Sequence, residues 1–333
     1  FYGGFGVTSP RAGNFLIQNS DLIFAIGTRF DTHEIGSDVN LFAPKAKRIV
    51  VDIDKGEITK LRTIGFKIDL DFCSSAYKFI SDINSQKFKP PKSDRSSWFK
   101  KCENWNKKYP ICHNNHRSQD ERVNPYLFFE KLGEALPSDC IVVTDCGSNL
   151  IWTMQSLIPK NGQRIISAFN HSPMGYSIAG AIGAFYAQNS KIPIVCIIGD
   201  GGFQINVQEL AIISKHKLNI KIFVMNNHCH GIIQGTQNAW LDGRHHASCP
   251  IEGKLPDPDI QKISNAYNIE SFKIESHKKL EPIIKIVLNN SEPNLIDVDM
   301  LAKSQIEPKL MYGRSIEDSH PLLSEEEMSS NMI

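Results

Sequence analysis

The sequence predicts an α/β protein built on two doubly wound, mainly parallel sheets. Short runs rich in Val and Ile, closed by Gly, Asp or Asn, read as strands buried on both faces. The segments between them carry apolar residues at helical spacing. At 333 residues the chain is also longer than one hydrophobic core supports, so about two domains are expected.

In the first part, Ala12, Phe15, Leu16 and Asn19 fall at helical spacing and place a helix between Arg11 and Ser20. Asp21–Gly27 and Arg48–Asp54 read as parallel strands, and a second helix covers Cys73–Asn84. Residues 1–86 therefore form part of an open sheet. Residues 87–123 change character and read as a linker, because Lys87–Ser97 is polar and proline-broken. Within it, Trp98–Tyr109 suits an amphipathic helix whose tryptophans pack. A second domain, residues 124–312, opens at Asn124-Pro125, a good helix start. Helices are expected over Tyr126–Leu136, Ser148–Ser156, Gly175–Ala187, Asn206–Lys215, Pro258–Tyr267 and Lys279–Leu288. Strands are expected over Cys140–Thr144, Arg164–Ser167, Ile192–Ile198, Ile220–Met225 and Asn294–Asp299. Residues 313–333 are left as a C-terminal tail.

A formal net charge of +1 gives no electrostatic case for nucleic acid or an acidic membrane, so neither partner is expected. Apolar runs such as Ile192–Ile198 are far shorter than the roughly 20 residues that cross a bilayer. The start, Phe1-Tyr2-Gly3-Gly4, lacks the pattern of a signal peptide. The eight cysteines form no Cys-x-x-Cys pair and no secreted framework, and Cys140 and Cys196 sit inside strands as core residues. A cytoplasmic location is expected. His228, His230, His245 and His246, with Cys229 and Cys249 nearby, invite a zinc reading. Zinc is not expected there, because adjacent residues after a strand point in different directions and no structural-zinc spacing is present.

The strongest chemical signal spans residues 192–231. One apolar strand ends in Gly199-Asp200-Gly201-Gly202, and the next ends in Asn226-Asn227-His228-Cys229-His230-Gly231. Neighbouring parallel strands would bring Asp200 and Asn227 together at their carboxyl ends, where open α/β sheets bind ligands. A carboxylate, an amide oxygen and the Cys229 carbonyl are hard oxygen ligands suited to Mg²⁺. The metal set is thus Asp200, Asn227 and Cys229, with Gly201 and Gly202 letting the backbone approach a phosphate.

With 24 residues between Gly201 and Asn226, this constellation resembles the cofactor motif of the thiamine-diphosphate enzyme superfamily. The likeness is greatest to its acetolactate-synthase-like branch. In that branch Gly147, Ser148 and Asn149 correspond to the turn that holds the terminal phosphate. Asn170–Tyr176 looks like the segment around the aminopyrimidine, with the Ser172 carbonyl accepting from the 4′-amino group and Met174 as the apolar wedge that bends the cofactor. Gly199, His230 and Gly231 complete the implied cofactor lining, and His228 and His230 are the candidate proton relays. The first 85 residues resemble the central domain of the branch, through Arg11–Gln18, Gly27–Asp31 and Val51–Asp54. Where that domain binds FAD, Arg29 and Asp52 are the implied contacts. Pro308–Pro321 resembles tails that fold over the active site.

The resemblance implies a thiamine-diphosphate- and Mg²⁺-dependent decarboxylase or carboligase of a small 2-keto acid, homo-oligomeric when complete. The family glutamate that protonates the cofactor ring has no counterpart in this chain, which begins partway into the central domain; a fragment is the reading. A non-catalytic cofactor-binding or regulatory subunit is the alternative. Authentic acetolactate synthases carry a tryptophan five residues after the position of Gly231, where it favours 2-ketobutyrate. This chain has Thr236 there, with Trp240 beyond it, so a different acceptor is expected.

Overall fold

The computed structural model describes residues 2–86, 94–119, 121–188, 192–302 and 304–333. The chain divides into two compact units, residues Phe1–Pro110 with Glu307–Ile333, and residues Ile111–Ile306.

The first unit holds a parallel sheet of β1 (Leu22–Ile26), β2 (Lys47–Asp52) and β3 (Leu70–Cys73), in that order. Ile23, Ala25 and Val50 face a cluster that includes Phe30, Phe42, Phe66 and Ile316. The Arg48 guanidinium lies 4.5 Å from the Phe66 ring centroid, so its charge is buried against an aromatic face. Residues after 307 are integral to this unit. Asn14 Nδ2 donates to the Ile316 carbonyl (2.8 Å), and Trp105 Nε1 donates to Asn331 Oδ1 (2.9 Å). The expected boundaries thereby shift: residues up to 110 of the expected linker and the whole C-terminal tail belong to this unit, and the expected helix over Trp98–Tyr109 is present. The helix Ser96–Lys108 buries Cys102 and Trp105 against Phe15, and the C-terminal helix Glu325–Asn331 packs with them. Its core face is small, which is why a polar composition concealed it. Residues 87–93, the proline-broken stretch of the expected linker, lie outside the described residues.

The second unit opens as its sequence requires: Asn124 Oδ1 accepts from Tyr126 N–H (3.0 Å), and Pro125 occupies the first turn of the helix Pro125–Ala135. Its six strands are β4 (Ile141–Thr144), β5 (Arg164–Ile166), β6 (Ile194–Gly199), β7 (Ile220–Asn226), β8 (Glu270–Ile274) and β9 (Asn294–Asp299). They lie in the order β5-β4-β6-β7-β9-β8, all parallel. Period-two alternation divides the core into two layers. Val142, Val195, Ile197, Phe223 and Met225 face the helices Pro125–Ala135 and His277–Asn289. Ile141, Val143, Cys196, Ile198, Ile222 and Val224 face Tyr176–Ala187, Leu210–Lys215 and Ile260–Ala266. This is the α/β, doubly wound class that the sequence predicts.

Sequence reasoning passed over β3 and β8, both at sheet edges. Their residues are partly exposed and form no continuous apolar run. The helices Lys55–Thr63 and Gly231–Trp240 were also unforeseen, and the expected helix Asn206–Lys215 divides into a 3₁₀ turn, Val207–Glu209, and Leu210–Lys215. Among the described residues, no helix is long and apolar enough to cross a membrane.

Candidate active site

The direction of winding in the second unit reverses between β4 and β6, since β5 lies outside β4 while β7 continues beyond β6. At such a switch point, loops diverge and leave a crevice beyond the strand ends. The loops after β4, β6 and β7 border a cleft of about 350 Å³. Gly147, Ser148, Asn149, Ser172, Met174, Gly199, Asp200, Gly201, Gly202, Asn227, Cys229, His230 and Gly231 all line it. Asp145, Cys146, Trp152, Met225, Ile232 and Ile233 line it too. Asp145, Cys146 and Trp152 belong to the segment Asp145–Asn149 followed by Trp152 that resembles the phosphate-holding turn, whereas Ile232 and Ile233 depend on a helix that local pattern does not announce.

Parallel register brings the key pair together. Gly199 pairs with Met225, so Asp200 and Asn227 follow neighbouring strand ends. The Asp200 carboxylate accepts from Gly201 N–H (2.9 Å), and burial pushes its acid up to about 7. A buried carboxylate in that condition favours a cation beside it. Asn227 directs its amide nitrogen to Cys229 Sγ (3.1 Å), leaving the amide oxygen for a ligand. Cys229 Sγ in turn donates to the Ala302 carbonyl (3.3 Å), and burial pushes that thiol up to about 12. Sulfur is thus held as a protonated thiol, and the Cys229 carbonyl accepts from Gly231 N–H (3.1 Å). Asn226 serves the turn instead: its Nδ2 donates to Asp297 Oδ1 (3.0 Å), and its Oδ1 accepts from His228 N–H (3.2 Å).

The two glycines after Asp200 have a structural reason distinct from the expected one. A Cβ on Gly201 would lie 2.5 Å from His230 Cε1, and one on Gly202 would lie 2.2 Å from Asp145 Oδ2. They make room for side chains behind the loop. Asp145 is buried, its carboxylate accepting from Gly175 N–H (3.0 Å) and Ser177 N–H (3.2 Å). It ties the β4 loop to the segment carrying Ser172 and Met174. Burial raises its pKa.

One predicted residue is not brought into this cleft. His228 turns away, with Nδ1 3.0 Å from the Asp257 carboxylate and Nε2 3.0 Å from Asp299 Oδ1. The hydrogen bond that His228 donates to Asp299, opposed by burial and aided by Asp257, holds its pKa up at about 9. It is a doubly paired imidazolium, so the expectation of a proton relay falls to His230 alone. Arg29 and Asp52 stand in the other unit. Arg29 pairs with Glu57 (3.0 Å), and Asp52 Oδ1 accepts from Asp54 N–H (2.8 Å).

The donor set fits a magnesium diphosphate group: oxygen ligands converge from two strand ends, and the N-terminus of the helix Ser148–Ser156 borders the same cleft. Residues 145–298 match the C-terminal TPP-binding domain of the thiamine pyrophosphate enzymes, and residues 1–82 match the central domain of the same enzymes. The acetolactate synthase large subunit of Cyanidium caldarium is 29% identical over 315 residues, covering 95% of this chain and 52% of that protein. The Lactococcus lactis large subunit is 30% identical over 309 residues, covering 92% and 51%. The isozyme 2 large subunit of Escherichia coli is 27% identical over 322 residues, covering 95% and 54%. The chain spans about half the length of these curated relatives.

Proposed function

The chain belongs to the thiamine pyrophosphate enzyme family, and from that premise we propose that the protein decarboxylates a 2-keto acid or joins it to a second carbonyl compound. The observation that carries this reading is the convergence of Asp200, Asn227 and the Gly147–Asn149 turn on one cleft at the switch point. Thiamine diphosphate, when bound, supplies a nucleophilic carbon and an electron sink for the carboxylate that leaves. The Asp200 carboxylate, the Asn227 amide oxygen and the Cys229 carbonyl would hold Mg²⁺. Gly147, Ser148 and Asn149 would donate to the diphosphate. Met174 presents an apolar wall, and the Ser172 carbonyl would accept from the cofactor ring. His230, whose ring lies against Gly201, is placed to hold or pass a proton.

Trp152, Ile232 and Ile233 keep the wall apolar and restrict water, which strengthens every electrostatic contact in the cleft. Exposed Phe169, Met174 and Ile205 support a homo-oligomer in which a second copy covers them. We propose FAD as a second cofactor on Arg29 and Asp52 in the first unit, and a flavin absorption band in the purified protein tests that point. The reaction is tested by CO₂ release from pyruvate and longer 2-keto acids. Release that requires both thiamine diphosphate and Mg²⁺ is expected; release that is indifferent to either contradicts the assignment.

A further inference from the structure

The segment after the helix Gly231–Trp240 turns back and gathers three chemically mixed side chains, His245, Cys249 and Glu252. One ligand atom from each lies within 4.8 Å of the others. Sequence causes are visible. Pro250 starts a single helical turn, Pro250–Gly253, with Cys249 at its N-cap, so Cys249 and Glu252 three residues later share a side. Gly253 closes the loop onto itself: a Cβ there would lie 2.7 Å from the His245 carbonyl and 2.6 Å from Ala247 N. The loop is built on a buried side chain, since Gln237 Nε2 donates to the His246 carbonyl (2.9 Å) and Gln237 Oε1 accepts from Ser248 Oγ (2.6 Å).

The second observation is the tautomer of His245. Its Nε2 lies 2.7 Å from Asn238 Oδ1, an acceptor, so Nε2 carries a proton. Nδ1 then faces the Glu252 carboxylate at 3.2 Å. That nitrogen and the carboxylate face the same point as Cys249 Sγ. A hydrogen bond at the distal nitrogen is the usual way a protein fixes a metal-binding imidazole. Thiolate, imidazole and carboxylate together select a borderline-soft ion of the zinc type over magnesium. Ligand atoms around tetrahedral zinc stand about 3.3–3.7 Å apart, so side-chain shifts below about 1 Å complete the geometry.

We propose that His245, Cys249 and Glu252 form a zinc site, open at its fourth position, that clamps the 245–252 loop. The loop reaches the cleft directly, because the Ser248 carbonyl beside Cys249 accepts from His230 N–H (2.9 Å). Zinc therefore braces the residue that carries the candidate proton relay. Zinc binding by the loop can be read separately from magnesium binding and from turnover.

The test uses the full chain, stripped with a chelator and titrated with zinc alone, then with cobalt as a spectroscopic substitute. One equivalent is expected, with a thiolate-to-cobalt charge-transfer band in the near ultraviolet. Cys249→Ser is expected to abolish the band, and His245→Ala to lose stoichiometric binding. Asn238→Ala, which removes only the tautomer lock, is expected to weaken binding by about 10–100-fold. Asp200→Ala leaves it unchanged. Circular dichroism checks folding, and Glu252→Gln, at an exposed position, supplies a second arm with at least tenfold weaker zinc binding. Absence of stoichiometric zinc in the wild-type chain overturns the site. Binding and a band that survive Cys249→Ser, or zinc affinity unmoved by Glu252→Gln, overturn it equally.

Discussion

Gly202→Ala is the perturbation that most sharply separates a packing role from a phosphate-approach role. The new Cβ would stand 2.2 Å from Asp145 Oδ2, against 3.4 Å for ordinary contact. Something must move by about 1.2 Å (3.4 − 2.2). Asp145 is held by the N–H groups of Gly175 and Ser177. Losing one hydrogen bond to a charged group costs about 1.5–3 kcal/mol, and forcing extra volume into a packed site costs about 1–3 kcal/mol. The two overlap, because moving Asp145 relieves the overlap at the expense of the bond, so roughly 2–4 kcal/mol is expected. For a unit of about 200 residues each kcal/mol lowers Tm by about 2–4 °C, giving a drop on the order of 5–15 °C. Gly183→Ala is the internal control. It lies inside the helix Tyr176–Ala187 with nothing near its Cβ, and should stabilise by about 0.5–1 kcal/mol. Thermal melts followed by circular dichroism compare the pair. Equal melting of Gly202→Ala and wild type would refute the reasoning, since Asp145 would then have slack.

His116 is buried, stacked on His113 and Tyr126, and burial followed by the His113 charge lowers its pKa to about 4. Its folded value lies below the unfolded one, so the unfolded chain binds the extra proton and stability falls as pH drops from about 6.5 toward 4. The loss is on the order of 3 kcal/mol, and His116→Phe should flatten it; an unchanged pH profile in urea melts would count against the assignment. His228→Gln should leave Mg²⁺-dependent cofactor affinity within about threefold while lowering Tm, because His228 bridges Asp257 and Asp299 outside the cleft; lost affinity with an intact Tm would return His228 to the site. Thr236, an exposed residue that donates to the Ile232 carbonyl, offers no large apolar wall, so pyruvate and 2-ketobutyrate should compete nearly equally as acceptor. Thr236→Trp should shift the ratio by a factor of about 10, the worth of one methylene; a wild-type preference of that size would show that another residue supplies the wall.

Much of the second unit was legible because its strands are buried on both faces and advertise themselves as apolar runs. Their closing residues, Asp200 and Asn227, then fall at adjacent strand ends by register alone. Edge strands β3 and β8 carry no such signal, for β3 is exposed throughout and β8 is mostly half-buried. Side-chain direction was also hidden. Nothing in Asn226-Asn227-His228 tells that the first asparagine holds the turn, the second faces the cleft, and the histidine leaves it to meet Asp299, a partner 71 residues away. The tail of the chain was illegible for a related reason: Asn331 and Ile316 find their partners at Trp105 and Asn14 only after the chain has folded. Pairings of this kind depend on long-range closure that local pattern does not encode.

The central claim is that the Asp200–Asn227 pair holds a metal diphosphate at the switch point. Isothermal titration of thiamine diphosphate into the chain, with and without Mg²⁺, tests it directly when repeated on Asp200→Ala. Truncating a buried, metal-bound carboxylate should cost at least about 3 kcal/mol, a loss of roughly a hundredfold or more in affinity, and should abolish the dependence on Mg²⁺. The Asp200→Ala circular dichroism spectrum should match that of wild type. Cofactor affinity that is unchanged in Asp200→Ala, and still rises with Mg²⁺, would contradict the account.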